Sequence, residues 1–146
     1  MKAAHPYLNF PGTAEEAFEF YRSVFGGEFS AVVRFRDFGE DALGASEDEL
    51  DKIAHIGLAL AGDVYLMASD VVSSSPAELT VGNNFYITLQ PDDAEEARRL
   101  FDGLSAAGDV EMGLQRTGWA ELYGSFTDRF GVRWMINYEG DASPGG

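Results

Sequence analysis

Three side chains carry most of the chemistry that the sequence offers: His5, His55 and Glu121. The two histidines are the only ones in the chain. Ala54-His55 corresponds to Ala120-Glu121 in a later, similar segment, so we expect related strands to bring these side chains to related places. Two imidazoles and one carboxylate form a ligand set for Zn, Ni, Mn or Fe(II). The three residues are therefore the predicted ligands of one divalent metal ion.

Each of these residues also has a purely structural interpretation. His5 stands at the start of a strand, where a hydrogen-bonded edge histidine is common, and His55 between apolar neighbours suits a core or cleft wall. Glu121 alternates with Trp119 and Tyr123. If that face lines a cleft, the aromatic surroundings favour a protonated carboxyl, and Glu121 is then the candidate catalytic general base. If the face is open to solvent, Glu121 is an ordinary strand glutamate.

A set of aromatic residues outside the predicted helix stripes could line a ligand pocket, although dimer packing would use the same surfaces. These candidates are Tyr7, Phe85, Trp119, Tyr123 and Trp134. A nucleophile is not evident, because the chain has no cysteine and no Gly-x-Ser-x-Gly elbow. The residue types therefore favour ligand binding, with metal chemistry as the alternative.

A segment that occurs twice organises the elements that would position these residues. Residues 5–17 and 85–97 each contain a short apolar stretch, a proline and the string Ala-Glu-Glu-Ala. Each copy predicts a strand and then a helix with an acidic first turn, capped by Thr13 in one copy and Asp93 in the other. A repeat of this kind indicates two copies of one structural module.

The hydrophobic periodicity assigns one helix and four strands to each copy. The first copy has strands at 5–10, 28–36, 52–60 and 64–69 and a helix at 13–25, with an acidic loop at 37–51 that could act as a lid and includes a helical turn from Ser46. The second has strands at 84–90, 109–112, 117–126 and 132–138 and a helix at 93–107, which Gly108 ends.

These assignments predict an α+β fold made of two βαβββ modules. The modules cover about 4–70 and 83–139, within a single domain at 1–139 that is followed by a flexible tail at 140–146. Each helix covers one face of a mixed sheet, and the other face is still apolar, so we expect the sheets to curl round a cleft. The modules could pair within one chain or be exchanged across a homodimer.

The composition narrows the range of partners. A net charge of −15 opposes binding to nucleic acid and to anionic membranes, because phosphate contacts need clustered Lys and Arg. No apolar run is long enough for a membrane span, and the N-terminus lacks the apolar region of a signal peptide. The absence of cysteine excludes disulfides and thiolate metal sites. We therefore expect a cytoplasmic protein.

Several strings in this chain resemble the vicinal oxygen chelate (glyoxalase/bleomycin resistance/extradiol dioxygenase) superfamily, and its PhnB-like branch in particular. They lie at residues 5–10, 17–27, 54–55, 66–70, 119–120 and 127–137. The resemblance implies the doubled βαβββ fold and, in metal-dependent members, a divalent ion on symmetric strands. Of the implied ligand positions His5 is suitable, whereas the other three fall at Phe85 or Tyr86, near Leu66 or Met67, and near Met135.

The resemblance and the residues together give one leading function and two alternatives. The leading hypothesis is a homodimeric PhnB-like protein that binds a small planar or aromatic molecule in a cleft between its modules. The first alternative is a metal-dependent lyase or dioxygenase-like enzyme that uses His5, His55 and Glu121. The second is a structural or interaction protein whose cleft is closed.

Overall fold

A computed structural model describes residues 1–142, and the chain divides into two compact units, Met1–Thr80 and a second that begins at Val81. Each unit contains one helix and one four-stranded mixed sheet in the order βαβββ. The predicted α+β fold with two such modules is confirmed. Of the expected tail, 140–142 forms a turn, and 143–146 lies outside the described residues.

The first unit packs helix α1 against one face of a sheet with strand order β1-β4-β3-β2. Strand β1 runs parallel to β4, and the other neighbours are antiparallel. The elements are β1 Tyr7–Phe10, α1 Ala14–Phe25, β2 Phe29–Arg34, β3 Ile53–Ala61 and β4 Val64–Asp70. Alternate strand residues and the apolar stripe of α1 form the core, which includes Phe10, Phe18, Tyr21, Ile56, Leu58 and Leu66.

The N-terminus of α1 is capped differently from what the repeat predicts. Thr13 makes no side-chain cap hydrogen bond. Instead the backbone N–H of Ala14 donates to Oδ1 of Asp70 at 2.9 Å, and the N–H of Ile53 donates to Oδ2 at 2.8 Å. Asp70 is almost fully buried, so its carboxylate joins the ends of α1, β3 and β4. Thr13 occupies the N-cap position as predicted, but its side chain does not cap the helix; the carboxylate of Asp70, which is distant in sequence, accepts the first helical N–H instead.

The acidic loop of the first unit is ordered as three short 3-10 turns, at Phe35–Phe38, Ala42–Gly44 and Glu47–Glu49. The predicted helical turn after Ser46 is confirmed, and Ser46 and Glu49 cap each other. The Glu49 carboxylate also accepts from the N–H and the hydroxyl of Ser73, at 2.9 and 2.7 Å. The loop is therefore fastened to the segment that follows β4.

The second unit repeats this arrangement with strand order β5-β8-β7-β6, and β5 runs parallel to β8. The elements are β5 Ile87–Leu89, α2 Ala94–Ser105, β6 Asp109–Gln115, β7 Leu122–Thr127 and β8 Arg133–Tyr138. Asp93 caps α2 as predicted, because its Oδ1 accepts the N–H of Glu96 at 2.7 Å. The core between α2 and the sheet includes Leu100, Phe101, Leu104, Phe126, Trp134 and Ile136.

Several boundaries of the second unit differ from the prediction: β5 covers only Ile87–Leu89 of the predicted 84–90, and β6 continues from 112 to Gln115. The strand expected at 117–126 begins only at Leu122, because Thr117 and Ala120 close a turn through a backbone hydrogen bond of 3.0 Å. Helix α2 ends at Ser105, before Gly108. A Cβ at residue 108 would collide with the carbonyl of Thr127, so this glycine is required by the close approach of a neighbouring strand and not by a helix stop. No described helix has the length and apolarity that a membrane crossing requires.

Candidate ligand-binding site

The sheet of the second unit has one face against α2 and a second face, opposite α2, that carries mostly polar and aromatic side chains. Directly paired residues of antiparallel strands point to the same side. Gly124 and Phe126 face α2, where an added Cβ on Gly124 would touch Phe101. The alternating residues therefore occupy the second face: Tyr123, Ser125 and Thr127 on β7, and Arg133, Met135 and Asn137 on β8.

Trp119 and Tyr123 form an aromatic pair at one end of this second face. Their ring centroids are 5.3 Å apart at 73°, an edge-to-face arrangement. Trp119 lies within the turn in which the hydroxyl of Thr117 accepts the backbone N–H of Ala120 at 3.1 Å. The indole remains 48% exposed although its backbone is fixed. The Tyr123 hydroxyl lies 3.5 Å from the sulfur of Met135, which extends the apolar surface along β8.

Four polar side chains cross the same face farther along β8. Oε1 of Glu111 accepts hydrogen bonds from the hydroxyls of Tyr86 and Ser125, at 2.5 and 3.0 Å. Oε2 of Glu111 accepts a hydrogen bond from Nη2 of Arg133 at 2.5 Å. Nη2 of Arg133 also donates to the Tyr86 hydroxyl, and Nη1 donates to the Asn83 carbonyl at 3.0 Å. We call Tyr86, Glu111, Ser125 and Arg133 the polar belt.

A β-bulge explains how Glu111 reaches this belt. The register of β6 with β7 shifts between Val110 and Met112, so Glu111 is the extra residue of the bulge. Bulges turn a side chain from its regular direction and recur beside functional sites. Here the bulge directs the Glu111 carboxylate to Ser125 on the second face.

The belt fixes the protonation of its own members. The hydrogen bond from the Tyr86 hydroxyl lowers the pKa of Glu111 most strongly; partial desolvation opposes this, and Ser125 and Arg133 lower the pKa further. The same hydrogen bond is the main cause that raises the pKa of Tyr86. At neutral pH, Glu111 is therefore a carboxylate paired with the Arg133 guanidinium, and Tyr86 is a neutral donor.

One atom of the belt has no partner. Among residues 1–142, Nε of Arg133 is the single buried side-chain nitrogen or oxygen without a hydrogen bond. The ring of Tyr86 lies over the guanidinium, with 4.3 Å from Cζ to the ring centroid. A buried donor without an acceptor costs about 1–3 kcal/mol, so a water molecule or a ligand atom that accepts this hydrogen bond is stabilising.

The other predicted pocket residues lie in different surroundings. Tyr7 is exposed on the sheet face of the first unit opposite α1, and Phe85, just before β5, is 63% exposed. Trp134 lies on the α2 side and is wholly buried, and its Nε1 donates to Oδ2 of Asp128 at 2.9 Å. Trp134 therefore offers no surface to a ligand, because the alternation of β8 turns it into the core.

His5 and His55 both lie in the first unit, each beside a tyrosine. Nδ1 of His5 accepts the backbone N–H of Tyr65 at 3.1 Å. Since a neutral imidazole has one proton, the proton of His5 is on Nε2, which makes that nitrogen a donor. Nδ1 of His55 lies 3.2 Å from the Tyr7 hydroxyl, and the two rings are stacked with centroids 5.7 Å apart.

The three predicted metal ligands make other hydrogen bonds in this structure. To bind a metal ion through Nε2, His5 would have to lose the proton on that nitrogen. To bind one through Nδ1, it would have to give up its hydrogen bond with the N–H of Tyr65. Oε1 of Glu121, a residue of the second unit, accepts the backbone N–H of Asp141 at 3.2 Å. Within the described part of the chain, no three His, Asp or Glu side chains gather as a metal site would need. Metal ligation by His5, His55 and Glu121, and a catalytic role for Glu121, stay predictions.

The sequence reasoning missed the polar belt as a site. A usable signal existed: Arg133 interrupts the apolar run of β8, and Glu111 stands between Val110 and Met112 on another strand of the same module. A charged side chain within an otherwise apolar strand indicates a partner of opposite charge, because an unpaired charge is costly to bury. The orphaned Nε of Arg133 had no sequence signal, because it depends on side-chain geometry.

Comparisons with known proteins agree with this architecture. The family model of the Glyoxalase/Bleomycin resistance protein/Dioxygenase superfamily matches residues 5–136. Protein YjdN of Escherichia coli is 34% identical over 139 residues, which cover 90% of this chain and 92% of YjdN.

Two solved structures extend the comparison. Protein PA1353 of Pseudomonas aeruginosa is 40% identical, with a TM-score of 0.83 and coverage of 95% of this chain and 98% of that one. The PhnB protein of Bacillus cereus is 25% identical, with a TM-score of 0.69 and coverage of 94% and 99%. The chain therefore belongs to the Glyoxalase/Bleomycin resistance protein/Dioxygenase superfamily, as the sequence resemblance implied, and has a PhnB protein among its structural neighbours.

Proposed function

We propose that this protein binds a small planar or aromatic molecule, whose ring stacks on Trp119 and Tyr123. The observation that carries the proposal is the half-exposed indole of Trp119, set edge-to-face against Tyr123 beside a fixed turn. Exposed apolar surface of this kind marks interaction sites. A rigid aromatic pair also binds at a low entropic cost, because little is ordered when the ligand arrives.

The size of the aromatic surface sets the expected contribution to affinity. A tryptophan buries about 150–250 Å² when fully covered, so covering the exposed half removes roughly 100 Å² from water. At about 25 cal/mol per Å², this gives roughly 2–3 kcal/mol from the indole alone. Stacking on Trp119 is thus worth about 30- to 150-fold in the dissociation constant, and polar groups must supply the remainder.

The proposal also covers the assembly and location of the protein. We place it in the cytoplasm as a homodimer. A chain without cysteine forms no disulfide, which agrees with the cytoplasm, where disulfides are rare. The exposed apolar side chains of Val110 and Met112 on edge strand β6 support the dimer. A sedimentation mass equal to one chain would contradict the dimer without affecting the ligand site.

Equilibrium dialysis with the planar tricyclic probes fluorene and 9-fluorenone tests the ligand site. The test variant is Trp119→Ala, and the matched control is Phe38→Ala, because Phe38 is also 48% exposed but lies in the loop of the first unit. We expect binding to the unmodified protein, a loss of about 30-fold or more in Trp119→Ala and no change in Phe38→Ala. Equal affinity in all three proteins, or no binding, would refute the proposal.

A further inference from the structure

The unsatisfied donor of the polar belt has a defined direction. The Nε–H of a guanidinium lies on the same edge as one Nη–H, and the two together can bind a pair of acceptor atoms. In Arg133 the Nη groups already donate to Glu111, Tyr86 and Asn83, while Nε is buried and has no acceptor. The chain supplies the donor but leaves its acceptor to another molecule.

The donor also lies within reach of the stacking surface. Arg133 is two residues from Met135 on the same face of β8, a spacing of about 7 Å along a strand. The sulfur of Met135 touches the Tyr123 hydroxyl. A ring system of two or three fused rings that rests on Trp119 and Tyr123 can therefore extend along Met135 to the Arg133 guanidinium.

The charges around Arg133 indicate the kind of acceptor. Glu111 already neutralises the guanidinium at 2.5 Å, so an anionic ligand group would have to compete with a bound carboxylate. The net charge of −15 further disfavours an anion. An uncharged oxygen can accept the Nε–H while Glu111 stays paired with the guanidinium. One N–H donor is enough to bind such an oxygen.

We infer that the ligand is a planar conjugated carbonyl compound whose uncharged carbonyl oxygen accepts a hydrogen bond from Nε of Arg133. The inference rests on the proposed function and adds the chemical class of the ligand to it. The ring of Tyr86 covers the guanidinium and lies just before β5, outside the regular strand. The ring packs on the face of the guanidinium, whereas the Nε–H points outward in the guanidinium plane, the direction in which the carbonyl oxygen would accept it.

The matched probes 9-fluorenone and fluorene test the inference, because they share one tricyclic skeleton and differ at the carbonyl group. We expect the unmodified protein to bind 9-fluorenone about tenfold or more tightly than fluorene. Arg133→Lys retains the positive charge beside Glu111 but removes the Nε–H. It should reduce the affinity for 9-fluorenone to that for fluorene measured with the same variant. Fluorene-9-carboxylate should bind more weakly than 9-fluorenone.

The outcomes separate the inference from the proposed function. Equal affinities for the two probes, each weakened by Trp119→Ala, would overturn the inference and leave the proposed function standing. Tighter binding of fluorene-9-carboxylate than of 9-fluorenone would also overturn it. Failure of both probes to bind, or indifference to Trp119→Ala, would overturn the proposed function.

A measurement on the unmodified protein keeps the test decisive if Arg133→Lys does not fold. The infrared carbonyl stretch of bound 9-fluorenone should move to lower wavenumber than its value in hexane, because the oxygen accepts a hydrogen bond. A bound carbonyl stretch that keeps its hexane position would contradict the inference.

Discussion

Removal of the Asp70 carboxylate should destabilise the first unit more than removal of a helix cap that accepts one hydrogen bond, because Asp70 accepts two. Asp70 accepts the N–H of Ala14 at 2.9 Å and that of Ile53 at 2.8 Å, and it is only 3% exposed. Asp70→Ala leaves two backbone donors near the core without an acceptor, at about 1–3 kcal/mol each. We therefore expect a loss of roughly 2–6 kcal/mol, a large share of the stability of a small domain. Asp70→Asn retains one acceptor and should lose about half as much.

Urea unfolding followed by circular dichroism at 222 nm measures this loss. Both tryptophans lie in the second unit, so their fluorescence follows that unit separately. The control is Thr13→Ala, which should cost less than about 0.5 kcal/mol because Thr13 makes no cap hydrogen bond. A cost below about 1 kcal/mol for Asp70→Ala, or an equal cost for Thr13→Ala, would refute the assignment of Asp70 as the cap of α1.

Three further predictions concern the caps, the loop and the indoles. Asp93→Ala should cost about 1 kcal/mol in urea unfolding, because Asp93 does cap its helix. Hydrogen bonds, first from the backbone N–H of Ser46, lower the pKa of Glu49 from 4.5 to about 2. The stability that Glu49 contributes is therefore present above about pH 4.5 and lost as the pH falls toward 2. The difference in unfolding free energy between the unmodified protein and Glu49→Gln should shrink over that range, and a difference that stays constant would refute the assignment. Acrylamide should quench the unmodified protein strongly and Trp119→Phe weakly, because Trp134 is wholly buried; equal quenching would contradict these exposures.

The modules could be predicted from the sequence because local signals agree with tertiary ones. The acidic first turns, the apolar stripes and the repeated proline all favour the same elements, and α1 and α2 lie within one or two residues of their predicted bounds. The signals were least useful where a distant residue decides the outcome. The N–H of Ala14 is bound by Asp70, which lies 56 residues away in the sequence, and the side chain of Thr13 takes no part. The turn closed by Thr117 and Ala120 makes β7 begin later than predicted. Single-sequence patterns contain little information about such contacts.

The candidate site was predictable only in part. The alternation around Trp119 and Tyr123 identified the aromatic pair, because period-two spacing places alternate residues on one face. Alternation does not say which of the two sheet faces a residue occupies. Trp134 could therefore be assigned to the α2 side only from its pairing with Phe126. The belt depends on the bulge at Glu111, whose position follows from strand pairing and not from local composition.

The most direct test of the central claim uses the protein labelled with 5-fluorotryptophan. It contains two tryptophans, so the ¹⁹F spectrum should show two resonances, which Trp119→Phe and Trp134→Phe assign. Titration with 9-fluorenone should shift the Trp119 resonance in a saturable way and leave that of Trp134, which is buried against α2, nearly unchanged. A Trp119 resonance that does not move while the probe binds would contradict ligand stacking on Trp119 and Tyr123.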